Sequence, residues 1–162
     1  KLYFSSKAQI DAFLDGFYSF IPKNLLEHFS VQEWNNIISG SAPIDVDDWQ
    51  RNTRYSGNYN AKTIQVVYFW RAVRSFTDKD RRQLLKFVTG TTSVPLEGFS
   101  NLRSNGQLSL FQIGPSYNSI RSLPLGHTCF CKIDLPPYPT YAILREKLLT
   151  AIYEGDGAFL LS

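Results

Sequence analysis

Three side chains that carry chemistry alternate along one short run: His127, Cys129 and Cys131 lie within Leu123-Pro124-Leu125-Gly126-His127-Thr128-Cys129-Phe130-Cys131-Lys132-Ile133-Asp134-Leu135-Pro136. By residue type alone, Cys129 has three possible uses. It is a small apolar filler if buried. It is a metal ligand if enough donors converge, but the chain holds only one further His and no third Cys, so a four-ligand zinc site would need carboxylates and no metal is expected. It is a nucleophile if its thiolate is reachable, with His127 raising the thiolate fraction if an imidazolium approaches the sulfur. A phosphatase-type loop, in which Arg follows the Cys within a few residues, is excluded because the next arginine is Arg145. Asp134 is a candidate acid or base, or a structural carboxylate. Two cysteines one residue apart do not make a disulfide framework and point to a reducing compartment.

The elements that must position these groups follow from pattern. Phe130 to Leu135 reads as a strand ending at Pro136-Pro137, with Cys131, Ile133 and Leu135 on one face and Phe130, Lys132 and Asp134 on the other. Cys129 falls at its beginning. Leu108 to Ile113 reads as another strand, entered by an Asn105-Gly106 turn and closed by Gly114-Pro115, and a loop from Ser116 to Gly126 leads to His127. Thr140 caps a helix from Tyr141 to about Glu154, stopped by Gly155, with Leu144, Leu148, Ala151 and Ile152 as its buried stripe.

Upstream, Ile64, Val67, Trp70 and Val73 mark the apolar side of a helix beginning near Thr63. Thr77 and Asp80 form a capping box for the next, which buries Leu84, Leu85, Phe87 and Val88 and ends at Gly90. Near the N-terminus, Ser6 and Gln9 have capping-box spacing before Ile10, Phe13, Leu14, Phe17, Tyr18 and Ile21, and Pro22 stops that helix. A short helix over Leu25, Leu26 and Phe29 follows. A third is capped by Ser30-Val31-Gln32-Glu33, carries Trp34, Ile37 and Ile38, and ends at Gly40. A further short helix begins near Asp47. The Asn-, Gly- and Ser-rich run from Arg51 to Ala61 reads as a loop or hinge, and the principal boundary falls there.

At 162 residues the chain buries one core, or one domain plus part of another. Its 43% hydrophobic and 19% charged residues exclude a disordered chain. A net charge of +3 does not commit it to a polyanion, so nucleic acid is not expected as a partner. No apolar run is long enough to cross a bilayer, and no membrane partner is expected.

The segment around Cys129 resembles the catalytic-cysteine segment of the HECT-type ubiquitin ligases, whose motif reads Leu-Pro-x-Ala-His-Thr-Cys-Phe and then Leu-x-Leu-Pro. His127-Thr128-Cys129-Phe130 matches its centre, and Leu123-Pro124 and Ile133-Asp134-Leu135-Pro136 match its flanks. Asp48-Trp49, Asn52-Thr53-x-Tyr55, Tyr68-Phe69-Trp70, Phe87-Val88-Thr89-Gly90-Thr91, Val94-Pro95-Leu96-x-Gly98-Phe99 and Leu144-Arg145-Glu146-Lys147-Leu148-Leu149 resemble further landmarks, so the likeness runs over nearly the whole chain.

The resemblance implies an α/β fold: residues 61–162 form a C-terminal catalytic lobe with a small sheet surrounded by helices, 51–60 a hinge, and 1–50 the helical end of an N-terminal lobe. It implies ubiquitin as partner, a ubiquitin-conjugating enzyme recruited through a part of the N-terminal lobe that precedes residue 1, and a substrate lysine. Loading by this stretch alone is expected to be weak or absent. Cys129 would accept ubiquitin as a thioester and pass it on. His127, Thr128 and Phe130 would position the thioester or the ubiquitin tail, Asp134 is an acid/base or structural carboxylate, and Phe159 would dock near the C-terminus. No cofactor is implied, and the expected address is cytoplasm or nucleus. A catalytically silent ubiquitin-binding module is the alternative, and a cysteine hydrolase ranks third. Two positions depart from the family pattern. Cys131 stands where many relatives carry Asn, which reads as a small inward-facing substitution, and Gly126 stands where Ala is common, which reads as added loop freedom.

Overall fold

The computed structural model describes residues 2–22, 24, 28–30 and 43–158. The chain divides into two compact units, Lys1–Ala42 and Pro43–Ser162.

In the first unit, α1 (Leu2–Phe20) is a single long helix. It is already running at Leu2, so Ser6 lies inside it and is not its cap. It stops as Pro22 requires, the last turn closing through Ile21 N–H donating to Phe17 O at 2.9 Å. Phe17 stacks on Phe13 and meets Tyr18 edge-on, while Ile10, Phe13 and Phe20 are exposed. The expected helices over Leu25-Leu26-Phe29 and Trp34-Ile38 rest on residues outside the described ones, as do Val31, Gln32 and Glu33 of the Ser30-Glu33 box.

The second unit begins with a cap. Asp45 Oδ1 accepts from the Asp47 and Asp48 amides at 2.8 and 3.0 Å, which opens α2 (Val46–Arg51). Those amides, Asp48's foremost, hold the Asp45 carboxyl below its ordinary range. The helix exists to deliver Trp49, which has no exposed surface. Its ring lies flat on Phe99 at 4.8 Å and takes Phe111 and Trp70 edge-on at 5.1 and 6.1 Å. Asp48 fastens the same corner from outside, its Oδ2 accepting from Phe99 N–H at 2.9 Å.

Immediately after α2, β1 (Arg54–Tyr55) enters the main sheet parallel to β4 (Gln112–Pro115). Residues 51–60, whose composition suggested a hinge, therefore join the sheet of the second unit. They hold a strand, and the boundary between the units falls at Ala42 and Pro43. Polar composition described the exposed side chains here and missed the backbone pairing.

Two helices follow. α3 (Ile64–Ser75) buries Val66, Phe69, Trp70, Ala72 and Val73. Ile64 and Val67, expected on its inner stripe with Trp70 and Val73, are exposed, because a uniform spacing of three drifts about 60° per step round a helix of about 3.6 residues per turn and only Trp70 and Val73 reach the buried face. α4 (Asp78–Thr89) has the expected Thr77–Asp80 capping box, buries Leu84, Leu85 and Val88, and ends on Gly90 in the left-handed conformation, φ 79°. Phe87, expected inside with them, is only half-buried.

The single strand expected from Leu108 to Ile113 is two. β2 (Arg103–Ser104) and β3 (Gln107–Leu108) form a small hairpin whose turn, Asn105 and Gly106, takes the positive φ values of 50° and 77° that such a turn needs. β4 then starts at Gln112 and runs through Gly114-Pro115. With β5 (Leu125–His127) and β6 (Lys132–Leu135) the main sheet has the order β1-β4-β6-β5, in which β4 and β6 are parallel and β5 and β6 antiparallel. α5 (Tyr141–Ala158) packs its Leu144, Leu148, Ala151 and Ile152 inward as expected. Thr140 Oγ1 accepts from Ile143 N–H at 3.3 Å, and the helix continues through Gly155, since a glycine weakens a helix without ending it.

Trp49→Ala tests whether this entry segment belongs to the unit. Truncating a fully buried indole is expected to cost about 3–5 kcal/mol, read as a lowered urea midpoint of the unit's unfolding. A midpoint unchanged from the parent would show residues 43–60 to be a mere connection.

Candidate active site

The reactive run folds as strand, turn, strand. β5 delivers His127, one turn of 3-10 helix covers Thr128–Phe130, and β6 begins at Lys132. Cys129 therefore sits in the turn and not at the start of the strand, and the strand is shorter than its alternation suggested. Thr128, Cys129 and Phe130 are all exposed, whereas Cys131 is wholly buried.

Cys131 makes the turn possible. Its φ of 49° is left-handed, a conformation that glycine and asparagine adopt more readily than other residues. Asparagine meets such a backbone demand readily, and in this chain a buried cysteine meets it. The Cys131 carbonyl accepts from Gln112 N–H at 2.9 Å and its amide donates to Thr128 O at 3.4 Å, which joins the turn to β4. Burial pushes the Cys131 thiol above its ordinary 9.0, against a weaker opposing effect of a hydrogen bond with Ser109.

The exposed side of the turn is also tied. Ser104 Oγ lies 3.2 Å from Thr128 O and 3.0 Å from Cys129 O, placing the hairpin's hydroxyl as a donor shared between the two carbonyls. From below, α4 packs on β5 and on the turn. The approach is close enough that a Cβ on Gly126 would stand 2.4 Å from Phe87 O. Gly126 hence admits a helix backbone against the strand and does not loosen a loop. A chain with alanine here has to hold strand and helix further apart.

His127 is held by the Asp134 carboxylate. Its Nε2 lies 2.9 Å from Asp134 Oδ2, and Lys132 Nζ lies 2.9 Å from Asp134 Oδ1. The register places His127 directly opposite Lys132, with Asp134 on the diagonal, so one face of the β5–β6 pair carries all three. Asp134 Oδ1 is buried and has no hydrogen-bond donor, which leaves the Lys132 contact as an ion pair and not an aligned hydrogen bond. Sequence alternation had put Lys132 and Asp134 on one face but gave no reason to single out Lys132. Nothing in sequence signalled Ser104, which is 25 residues from Cys129. Among the described residues no group of three His, Cys, Asp or Glu side chains is arranged to hold a metal. Phe159 lies outside the described residues.

A solvent-reachable cysteine on a pinned turn, with a carboxylate-bound histidine two residues before it, is an arrangement suited to nucleophilic acyl transfer. Comparison with known proteins decides the family: the HECT-domain (ubiquitin-transferase) family matches residues 1–162. This chain belongs to the HECT domain family. It is 50% identical over 159 residues to E3 ubiquitin-protein ligase ptr1 of Schizosaccharomyces pombe, covering 98% of this chain and 5% of that protein. It is 49% identical over 162 residues to E3 ubiquitin-protein ligase TOM1 of Saccharomyces cerevisiae, covering 100% and 5%. With E3 ubiquitin-protein ligase HUWE1 of Mus musculus the identity is 46% over 156 residues, covering 96% and 4%. The chain thus spans about a twentieth of the length of these relatives. The helices and small mixed sheet described above are this stretch of the HECT fold.

Two expectations follow from the HECT site. Iodoacetamide at neutral pH is expected to alkylate Cys129 and spare Cys131 in the folded chain, because Cys131 is buried and that burial raises its pKa, which keeps its thiolate scarce. Equal labelling of both by peptide mass mapping would contradict this. Gly126→Ala should destabilise the unit by about 1–3 kcal/mol through the clash with Phe87, measured by urea denaturation.

Proposed function

We propose that this chain carries the ubiquitin-accepting centre of a HECT-type ubiquitin-protein transferase, with Cys129 as the acceptor. The observation that carries the reading is the contrast between the two cysteines: one is exposed on a turn fastened from three directions, the other is buried within the fold. Membership of a ubiquitin-transferase family supplies the acyl group.

In the first step the Cys129 thiolate attacks the carbonyl carbon of the thioester joining the ubiquitin C-terminus to a conjugating enzyme. That enzyme's thiolate leaves, and ubiquitin is held on Cys129 by a new thioester. In the second step a substrate lysine amine attacks the same carbonyl, an isopeptide bond forms, the amine loses a proton and the Cys129 thiolate departs. Cysteine suits both steps because it is a good nucleophile and then a good leaving group. Thr128 and Phe130 are exposed beside the sulfur's own residue, where they can guide the ubiquitin tail. We read His127 as orienting the thioester. Asp134 acts through His127, since both of its oxygens are already engaged by His127 and Lys132. Phe159 is assigned, by family resemblance, to arranging the loaded ubiquitin for lysine attack. The proposed address is cytoplasm or nucleus, and the conjugating enzyme is assigned to the part of the relatives that precedes this stretch.

Intact mass tests the reading after incubation with activating enzyme, ubiquitin and a panel of conjugating enzymes, using this chain and a longer one extended upstream. A reductant-sensitive adduct of one ubiquitin is expected on the longer chain, lost in Cys129→Ala and kept in Cys131→Ser. Phe159→Ala should spare adduct formation more than discharge to lysine, and equal loss of both steps would remove its assignment. A folded longer chain that forms no adduct across the panel would favour the silent ubiquitin-binding module.

A further inference from the structure

We propose that Lys132 is a positioning residue that fixes the tautomer and orientation of His127, acting through Asp134, and that Gly114 makes the room this arrangement needs. The inference deepens the proposed function and rests on it only for its kinetic consequence.

The argument starts from donor and acceptor capacity. An ammonium only donates, and an ionised carboxylate only accepts. With Lys132 Nζ at 2.9 Å from Oδ1, Asp134 is held as a carboxylate, and its Oδ2 at 2.9 Å from His127 Nε2 then requires the proton on Nε2. In the neutral ring Nδ1 is left as the lone-pair nitrogen. Were Lys132 absent, Oδ1, which has no hydrogen-bond donor, would lose its ion-pair partner as well, an arrangement relieved by rotation of the carboxylate. That change removes the reason for a single His127 tautomer, because a rotated carboxylate releases Nε2.

The neighbouring strand is cut to fit this pair. Gly114 of β4 lies opposite Asp134 in the register. A Cβ there would stand 3.0 Å from Asp134 Oδ1, 3.0 Å from Lys132 Cε and 2.5 Å from Ser56 Oγ. Since Gly114 carries no positive φ, its backbone does not demand glycine, and the space taken by the Lys132–Asp134 pair and Ser56 does. Three strands thus cooperate on one face: β4 yields space, β6 supplies the charge pair, and β5 presents the histidine two residues before Cys129.

The test reads the ring directly. Long-range proton–nitrogen correlation spectra of this 162-residue chain, at one pH where the ring is neutral, should show His127 with its proton on Nε2. Lys132→Met should give mixed or reversed tautomer signals, and Lys132→Arg should restore the parent pattern. Ser56→Ala/Gly114→Ala, in which the closest obstacle is removed and pressure on the pair remains, should reproduce the Lys132→Met spectrum and serves if that variant unfolds. In the longer chain, discharge of ubiquitin from Cys129 to lysine is expected to slow by about tenfold in Lys132→Met, with recovery in Lys132→Arg. A Lys132→Met chain that keeps the parent tautomer overturns the proposal, whatever its activity. Altered tautomer signals in a protein whose Cys129 never loads would uphold the positioning role and remove the transferase reading instead.

Discussion

Everything about this site depends on one left-handed residue. A nucleophile has to be exposed to meet a large acyl donor, and an exposed turn is ordinarily free to move. Here the chain leaves β5, makes a single turn through Cys129 and re-enters the sheet because Cys131 adopts a φ of 49° with its side chain wholly buried. The strain of that conformation, of order 1–2 kcal/mol for a residue other than glycine, is offset by burial and by the Cys131 carbonyl joining β4. Exposure and immobility are thereby divided between two cysteines separated by one residue.

Around that point the fold is a means of holding a short turn still. The aromatic corner built on Trp49 ties the entry segment to Phe99, Phe111 and Trp70, and β1 covers the outer edge of β4. α4 is pressed against β5 closely enough that only glycine fits at 126. The hairpin reaches across with Ser104 to the carbonyls of Thr128 and Cys129. Because these ties come from elements far apart in sequence, disturbing the core disturbs the geometry at the sulfur, the positional sensitivity expected of acyl transfer.

What could be read in advance was local or periodic. The Thr77–Asp80 box, the Asn105-Gly106 turn, the Thr140 cap and the inward face of Cys131, Ile133 and Leu135 depend on residues within a few positions of one another. The misreadings have other causes. β1 and β5 are only two and three residues long and are strands solely because partners lie beside them. Ile64 and Val67 were joined to Trp70 and Val73 by a uniform spacing of three, which drifts off a single helix face. Gly126 looked like freedom until Phe87 was seen above it. At the candidate site, the motif singled out Cys129 as the residue to test, while the charge pair of Lys132 with Asp134 and the hydroxyl of Ser104 required the third dimension.

The central claim is that, of two neighbouring cysteines, the fold offers only Cys129 to the ubiquitin C-terminus. It is tested most directly on the unsubstituted protein, by treating it with ubiquitin whose C-terminal carboxyl is replaced by a thiol-reactive electrophile and mapping the captured residue by peptide mass spectrometry. The account predicts capture at Cys129 alone. Capture at Cys131, or no capture by the folded protein, would contradict it.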